Sequence, residues 1–285
     1  MDIEINYQIM NDKIAVVTGA GGTLCSSMAI DLAKQGYKVA LLGRTLSKLK
    51  KVSDEIKANN GIALCVPADV SDEVSVKKAR DIIENQLGTC TVLINGAGGN
   101  QNDALPNIAA FDERELNDEE GVKGFFNLSM DVFQNVIDIN TMGTVIPCFV
   151  FGKSMAKNKK GNIINFASMT SYRPITKVAA YAMAKSGVVS FTQWLAAYLA
   201  PAKIRVNAIA PGFFLNDRSR MLMLDEVGSP TERAQNILGH TPMGRFGEAQ
   251  ELIGCMNWLI DEKNAGFVTG ITIPVDGGFL SCPGV

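Results

Sequence analysis

The fold can be predicted outward from one segment, Ile14-Ala-Val-Val-Thr-Gly-Ala-Gly-Gly-Thr-Leu-Cys25. Its first four residues are apolar, as in a strand that is buried on both faces. The glycines after Thr18 allow the backbone to turn tightly. Leu24, Met28 and Leu32 then recur at helical spacing. The order of strand, glycine-rich turn and helix predicts one βα unit.

The same alternation of strand and helix continues along the chain. Short apolar runs predict strands at 14–17, 39–42, 62–66, 92–94, 163–166, 204–209 and 271–275. Apolar residues at helical spacing predict helices around 24–36, 49–59, 76–87, 181–199 and 248–259, and a long helix that includes Asn140. This order predicts an α/β fold, a doubly wound parallel sheet with helices on both faces. Two segments, 100–130 and 213–242, break the pattern and are interpreted as irregular loops on the substrate side of the sheet.

Length and composition favour one globular domain. The chain has 285 residues, of which 47% are hydrophobic and 20% are charged. No linker rich in Pro, Gly or Ser divides it, so we expect a single catalytic domain over 1–285, with 1–11 as an N-terminal extension. The net charge of −2 and a pI near 5.6 argue against a nucleic-acid partner.

Compartment and metal content can also be predicted from composition. No uninterrupted apolar run approaches the roughly 18 residues of a membrane span, and residues 1–10 lack the features of a signal peptide. We therefore expect a cytoplasmic protein with no membrane partner. The six cysteines are scattered and His240 is the only histidine, so we expect reduced thiols and no metal site.

Residues 18–23 form a candidate phosphate-binding turn. Glycines let a backbone approach a pyrophosphate, and the N-terminus of the next helix supplies N–H donors. The alternative is a tight βα turn that binds nothing. Asn95-Gly96-Ala97-Gly98 follows the fourth predicted strand, and its small residues would let the backbone pass close to a cofactor.

The residues after the second and third strands predict the kind of nucleotide. An NAD site usually has Asp or Glu after the second strand, whereas an Arg accommodates the 2′-phosphate of NADP. Here Gly43-Arg44 stands at that point, which favours NADP over NAD, with Thr45 and Lys48 as possible helpers. The alternative for Arg44 is a solvated surface side chain. Asp69 follows the third strand and could accept a hydrogen bond from adenine. It could also be an N-cap-like turn residue, and the two roles are compatible.

Four polar residues form a candidate catalytic set. Tyr181 and Lys185 are four positions apart in a predicted helix and therefore share one face. A nearby ammonium is expected to lower the pKa of the phenol, which could then exchange a proton with a carbonyl or hydroxyl oxygen. Ser168 follows a predicted strand and could hold the same oxygen. Asn140 is either a satisfied core residue or the anchor of a water that relays protons to Lys185.

Together, these motifs resemble those of the short-chain dehydrogenase/reductase family. The resemblance covers about 11–279 and rests on matches in order: Thr18-Gly19, Asp69, Asn95 to Gly98, Asn140, Ser168, Tyr181, Lys185, Asn207, Pro211-Gly212 and Asp276-Gly277-Gly278. It implies a Rossmann-like domain, a nicotinamide cofactor, a catalytic tetrad of Asn140, Ser168, Tyr181 and Lys185, and a homotetramer or homodimer. It also implies that Lys185 contacts the nicotinamide ribose. The predicted cofactor contacts are Gly19, Gly21, Gly22, Thr23, Leu24, Arg44, Asp69, Val70, Asn95, Gly96, Ala97, Gly98, Tyr181, Lys185, Pro211 and Gly212.

The chain departs from the family pattern in two places. The usual T-G-x-x-x-G-x-G has Thr23 and Cys25 in place of its last two glycines. The segment 100–130 is also longer than the usual connection. We expect Gly21 and Gly22 to supply the flexibility of the missing glycines.

Several stretches are similar to the bacterial D-mannonate oxidoreductase (D-fructuronate reductase) branch of the family. They are 18–27, 94–100, 205–215 and 240–247. This resemblance implies a sugar-acid substrate, whose carboxylate needs a cation or several donors. The predicted substrate contacts are Asn100, Ser168, Arg173, Phe213 and His240, with Arg218, Arg220 and Arg245 as further candidates.

Three alternative functions remain open. Two are reductases of other carbonyls: a gluconate 5-dehydrogenase-like enzyme and a 3-oxoacyl thioester reductase. The third is a non-catalytic nucleotide-binding sensor, whose expected signature is loss of the Tyr or the Lys. Both Tyr181 and Lys185 are present, which argues against the sensor.

Overall fold

Seven parallel strands form one central sheet in the residues described by the computed structural model, 13–215, 220, 223–225 and 227–282. The strands are β1 Ile14–Thr18, β2 Lys38–Gly43, β3 Ile62–Pro67, β4 Val92–Asn95, β5 Gly161–Phe166, β6 Ile204–Pro211 and β7 Thr272–Val275. Their order across the sheet is β3-β2-β1-β4-β5-β6-β7, and every neighbouring pair is parallel. The predicted α/β fold is confirmed. The predicted extension 1–11 lies outside the described residues.

Helices follow the strands as predicted. They are α1 Thr23–Lys34, α2 Leu46–Ala58, α3 Glu73–Gln86, α4 Met130–Ile137, α5 Gly143–Asn158, α6 Ala179–Leu199, α7 Glu232–Gly239, α8 Gln250–Ile260 and α9 Glu262–Ala265. The predicted long helix around Asn140 is α4 and α5 joined by a π-helical turn, Asp138–Met142.

The prediction of an irregular 213–242 was wrong for α7. This helix begins after Thr231, whose side-chain oxygen accepts a hydrogen bond from the N–H of Ala234. A Thr N-cap followed by Glu is a start signal for a helix, and Ala234, Ile237 and Leu238 recur at helical spacing behind it. The signal was hidden because the helix has only eight residues.

The core lies on both faces of the sheet. In β1, Ala15 and Val17 pack into the cluster formed with α1, α2 and α8, whereas Ile14 and Val16 pack on the opposite side with α3, α5 and α6. A strand covered on both faces has no polar side, which is why β1 is a continuous apolar run.

The segment Met130–Asn158 is long and apolar enough, by length and composition alone, to cross a membrane. In the structure, 56% of its most apolar window is buried inside the protein. Phe151 and Met155 of α5 are fully buried in the core beside β4 and β5. Its apolar side chains therefore serve, at least in large part, to pack a core helix against the sheet.

All strands run in the same direction, so the segments that follow β1 to β6 leave from one edge of the sheet. Connections from β1 and β4, which are neighbours, go to opposite sides, and ligands of such sheets bind at this point. The fold therefore brings the turn after β1, the residues after β4 and the segment after β5 to one place.

Candidate active site

The turn between β1 and α1 has the features of an anion site. Gly19 has a positive φ of 67°, and a Cβ atom there would lie 2.9 Å from the backbone N and Cα of Ala97. Gly22 is the N-cap of α1 and, like all glycines, has no side chain to bond the helix end; the first turn contains no acidic residue. The first N–H groups of α1 are thus left without a side-chain acceptor, as a bound pyrophosphate requires.

The two residues that replace family glycines are accommodated differently. Thr23 is the first residue of α1, and its carbonyl accepts hydrogen bonds from the hydroxyls of Ser26 and Ser27. Cys25 is buried against Gly96: a Cβ atom at Gly96 would overlap its Sγ atom. Burial raises the pKa of the Cys25 thiol to about 12, so it stays protonated and acts as a small apolar group.

Arg44 and Asp69 line one cavity of about 740 Å³ together with Gly98, Gly99 and Asn100. Asp69 accepts hydrogen bonds from the backbone N–H and the hydroxyl of Ser71, at 2.9 and 2.6 Å. These bonds lower the pKa of Asp69, and the charge of Arg44 contributes in the same direction. The cavity thus has a cation and an acceptor in the place predicted for the adenosine end of a nucleotide.

Asp69 is not the N-cap of α3. That position is taken by Asp72, whose Oδ1 accepts from the N–H of Val74 at 2.9 Å. Val70, predicted as a cofactor contact, is buried, and a Cβ atom at Gly143 would lie 2.9 Å from its Cγ2. The Asp69 side chain therefore bonds Ser71 in the turn after β3 and lines the cavity.

The residues after β4 are held in place by the side chain of Thr18 at the end of β1. Its Oγ1 accepts the N–H groups of Gly96 and Ala97, both at 3.1 Å. Asn95, predicted as a cofactor contact, instead points its side chain into the core, where Nδ2 donates to Oδ1 of Asn165 at 2.9 Å. Asn95 therefore supports the site from inside the sheet.

Ser168, Tyr181 and Lys185 come together as predicted from their spacing. Ser168 follows β5, and its side chain is close enough to that of Tyr181 to influence the pKa of the phenol. Lys185 lies one turn after Tyr181 on α6, with its Nζ 5.6 Å from the centre of the Tyr181 ring. The same Nζ donates to the carbonyl of Phe166 at 2.7 Å. A hydroxyl, a phenol and an ammonium thus face one point at the end of β5.

Burial sets the protonation of this group. It raises the pKa of Tyr181, and the hydrogen bond from Ser168 opposes that rise. Burial lowers the pKa of Lys185 to about 8. The predicted lowering of the phenol pKa by the ammonium is not seen, because loss of solvent around the ring sets the direction of the shift. Tyr181 is therefore a protonated phenol at neutral pH.

Asn140 lies in the π-helical turn, a form that is frequent at functional sites. It is fully buried. Its Nδ2 donates to the carbonyls of Gly99 and Val136 at 2.6 and 2.8 Å, and its Oδ1 accepts from the N–H of Gly99 at 3.0 Å. A Cβ atom at Gly98 would lie 3.5 Å from Nζ of Lys185 and would overlap Oδ1 of Asn140. Asn140 therefore holds the loop after β4 against the catalytic lysine.

Gly212 allows the ends of β6 and β7 to meet. A Cβ atom there would lie 2.6 Å from Cα of Asp276, and its N–H donates to the carbonyl of Val275 at 2.9 Å. Pro211 before it is buried. On the other side of the site, a Cβ atom at Gly21 would lie 2.8 Å from the Cβ of Lys48, so Lys48 lies beside the phosphate turn.

The predicted substrate residues lie in different surroundings. Asn100 lines the cavity that contains Arg44 and Asp69. The ring of Phe213 packs edge-on against that of Phe279, with 5.5 Å between the ring centres. His240 is exposed beyond the end of α7, where its Nδ1 lies 2.8 Å from the carbonyl of Asn236. Arg173 donates to the main-chain carbonyl of Cys282.

The further candidates add little to the site. Arg245 forms a two-pronged ion pair with Glu251, at 2.6 and 2.7 Å. Arg220 is exposed, and its carbonyl accepts from the N–H of Leu224. Arg218 lies outside the described residues.

The chain matches known proteins over most of its length. The family model for short chain dehydrogenases matches residues 13–226. The uncharacterized oxidoreductase UxuB of Bacillus subtilis is 45% identical over 279 residues, which are 98% of this chain and 99% of that protein. A Haemophilus influenza protein provisionally assigned as a D-mannonate oxidoreductase, crystallised with NAD, has a TM-score of 0.90 at 41% identity, covering 97% and 100% of the two chains.

A more distant structure extends the range of cofactors. Actinorhodin polyketide ketoreductase with NADPH has a TM-score of 0.81 at 25% identity, with coverage of 95% of this chain and 98% of that one. The glycine turn, the uncapped end of α1 and the cavity at Arg44 fit such a dinucleotide. The protein is therefore an oxidoreductase that uses a nicotinamide cofactor on alcohol and ketone groups, and the chain belongs to the short-chain dehydrogenase/reductase family.

Proposed function

We propose that this enzyme interconverts a keto sugar acid and its hydroxy acid, D-fructuronate and D-mannonate. One observation supports an anionic substrate. The loop 172–178, which connects the Ser168 turn to α6, contains Arg173 and Lys177, and each donates to a main-chain carbonyl. Within the described part of the chain, neither has a carboxylate partner. Two unneutralised cations beside the catalytic group favour a negatively charged substrate.

The likeness to the Haemophilus protein supports the same substrate class. It carries less weight because the function of that protein is itself provisional. The structure with NADPH has only 25% identity and concerns a polyketide substrate. The sugar acid is thus favoured over the thioester by the likeness to the Haemophilus protein.

The residues named above would hold the cofactor at three points. The N-terminus of α1 and the turn at Gly19 to Gly22 would bind the pyrophosphate, Arg44 and Asp69 the adenosine end, and Gly98 and Lys185 lie where the nicotinamide end would come. When bound, the nicotinamide supplies or accepts the hydride.

The chain's own groups handle the proton. Tyr181 is protonated at neutral pH, so its O–H can donate to the substrate carbonyl oxygen during reduction. Ser168 can donate a second hydrogen bond to the same oxygen. The Lys185 ammonium, 5.6 Å from the centre of the phenol ring, stabilises the phenolate that forms. In the oxidative direction, Tyr181 must first lose its proton, and the phenolate then takes the proton from the hydroxyl.

We propose NADP as the preferred cofactor, with NAD accepted. Arg44 supports this preference because a guanidinium can bind a 2′-phosphate. Two observations favour NAD instead: Asp69 offsets part of the Arg44 charge, and the Haemophilus structure contains NAD. The preference therefore rests on Arg44 alone.

The direct test follows absorbance of the reduced nicotinamide with NADPH and NADH in parallel. The substrates are D-fructuronate, 5-ketogluconate and an acetoacetyl thioester. We expect rapid oxidation with D-fructuronate and slow or no oxidation with the thioester. Faster turnover of 5-ketogluconate would favour the gluconate 5-dehydrogenase alternative. Turnover of the thioester alone would overturn the sugar-acid proposal.

We also propose that the enzyme is a homo-oligomer, as the family resemblance implies. The helices α5 and α6 carry exposed aromatic side chains, with Phe149, Trp194 and Tyr198 each about 60% exposed or more. The rings of Trp194 and Tyr198 stack at 5.1 Å on this surface. Exposed aromatic surface of this kind is typical of a contact between subunits.

A further inference from the structure

Arg173 is attached to the catalytic group at its base. Its backbone N–H donates to the carbonyl of Met169 at 3.1 Å, directly after Ser168. The hydroxyl of Ser186 donates to the carbonyl of Ser171 at 3.0 Å, which ties the same turn to α6 one residue after Lys185. The stem of Arg173 therefore starts from a fixed point next to the catalytic side chains.

The guanidinium reaches a different part of the site. Its partner, the carbonyl of Cys282, follows the 3-10 turn Phe279–Ser281. Asp276 holds that turn by accepting the N–H groups of Gly278 and Leu280, both at 2.9 Å. The buried ring of Phe279 packs against Phe213, one residue after Gly212. Arg173 thus connects the Ser168 side of the site to the Phe213 side.

The bond to Cys282 leaves most of the capacity of the guanidinium unused. A guanidinium has five N–H donors in a fork that matches a carboxylate, and one main-chain carbonyl satisfies only one of them. The carbonyl is also neutral and accepts from one N–H, whereas a carboxylate adds the opposite charge and can accept two parallel N–H bonds from the guanidinium fork. A carboxylate that enters the site can therefore replace the Cys282 carbonyl.

We propose that Arg173 selects the substrate by binding its carboxylate, and that the Cys282 carbonyl is the partner it gives up when the substrate binds. The proposal rests on the sugar-acid function given above and adds the residue that binds the carboxylate. It also makes the segment 279–282 a competitor of the substrate for one guanidinium.

Lys177 provides a matched control. It lies in the same loop and carries the same charge, and its Nζ donates to the carbonyl of Asn107 in the segment 100–130. It therefore ties the loop to a different part of the molecule. Loss of a positive charge near the site is common to variants of both residues, whereas loss of the carboxylate contact is specific to Arg173.

The test compares D-fructuronate with D-fructose, in which a CH₂OH group replaces the carboxylate. Arg173→Gln keeps an N–H donor for the Cys282 carbonyl but removes the charge. We expect it to raise KM for D-fructuronate by about 10- to 100-fold, as for loss of a charged hydrogen bond. We expect kcat/KM for D-fructose to stay within about twofold, a change too small to reflect loss of such a bond. Arg173→Lys should recover part of the loss. Lys177→Gln removes a nearby charge without removing the carboxylate contact, so it should lower the preference for D-fructuronate over D-fructose far less than Arg173→Gln does.

Inhibition gives a second readout that needs no turnover of the neutral sugar. With D-fructuronate as substrate, Arg173→Gln should weaken inhibition by D-gluconate and leave that by its neutral counterpart, D-glucitol, unchanged. Equal losses for acid and neutral compounds, or an unchanged KM for D-fructuronate, would overturn the role of Arg173. If the wild-type enzyme itself turns over only other carbonyls, the proposed function fails and the inference fails with it.

Discussion

The phenol of Tyr181 is the group through which a proton reaches the substrate oxygen in the proposed reaction. Its position depends on α6, and its protonated state depends on burial rather than on the neighbouring lysine. The proposed pyrophosphate and adenosine contacts, Gly19 to Gly22, Arg44 and Asp69, are by contrast distant from Tyr181 in the chain. Single substitutions in the site should therefore affect proton transfer and nucleotide binding separately.

Tyr181→Phe removes the proton donor and leaves the ring in place. We expect kcat to fall by about 10²- to 10⁴-fold, the usual contribution of a general acid. Binding of NADPH, measured by its fluorescence, should stay close to that of the wild type. Unchanged turnover would show that another group supplies the proton.

Lys185 links the site to the pH dependence of stability. Burial lowers its pKa from the ordinary 10.5 to about 8 in the folded protein. Between these pH values the unfolded chain binds a proton that the folded chain has released, so this group makes the free energy of unfolding rise with pH. The destabilisation of the folded protein by the buried, charged Lys185 is fully present below pH 8 and disappears above pH 10.5.

We therefore expect Lys185→Met to lose this rise. The difference in free energy of unfolding between Lys185→Met and the wild type should change by a few kcal/mol between pH 7 and pH 10.5. Urea unfolding at a series of pH values measures it, and comparison with the wild type cancels the opposing effect of Cys25. A difference that is constant with pH would contradict the lowered pKa.

Arg44→Asp tests the choice of cofactor. Replacing the cation by a carboxylate should repel a 2′-phosphate and offer an acceptor to a 2′-hydroxyl, so the ratio of kcat/KM for NADPH to that for NADH should fall by tenfold or more, about 1.4 kcal/mol. The measurement uses one substrate concentration series with each cofactor. If the ratio does not move, Arg44 does not read the 2′-phosphate.

At the scale of elements, α1 and the end of β4 pack together through one unusual pair. Cys25 occupies a position where the family pattern has glycine, and Gly96 opposite it has no side chain. The thiol fills the space that this glycine leaves. The close approach of α1 to the residues after β4 therefore depends on the absence of a side chain at Gly96.

Gly96→Ala should therefore destabilise the protein by about 1–3 kcal/mol, because its Cβ would overlap the Cys25 Sγ. Adding Cys25→Ala should recover a large part of that loss, which a double-mutant cycle from urea unfolding would measure. Gly152→Ala in α5 is the control, since a Cβ there meets no atom within 4 Å. Strictly additive effects of the Gly96 and Cys25 changes would exclude the contact.

At the scale of the whole molecule, the parallel sheet brings the residues of the site to one edge. Residues from Gly19 to Asp276 reach the same edge because seven parallel strands end there in the described structure. The same architecture leaves α5 and α6 on an outer face with their aromatic side chains exposed. The site and the proposed subunit contact therefore involve different faces of α6.

Trp194→Glu tests the oligomer. Trp194 is 59% exposed, and in the described structure its ring stacks on Phe191 and Tyr198 of the same helix, so the change should cost little within one subunit. A buried charge in a subunit contact is costly, and we expect dissociation to smaller species by light scattering coupled to gel filtration. An unchanged mass would place the contact elsewhere, and a wild-type monomer would refute the proposal.

Periodicity and spacing were enough to predict the seven strands, most helices and the grouping of Ser168, Tyr181 and Lys185. These features depend on local rules: the period of apolar residues, the placement of glycine, and the four-residue repeat that aligns Tyr181 with Lys185. The short helix α7 was missed because eight residues carry too little periodic signal.

Contacts between distant residues were decided by tertiary structure alone. Nothing local predicts that Cys25 faces Gly96, that Asn140 binds Gly99, or that Arg173 reaches a carbonyl 109 residues away. The direction of the Tyr181 pKa belongs to the same class, because burial depends on every element packed around the ring. Such properties arise from the packing of the whole chain, whereas strands and helices arise from neighbours along it.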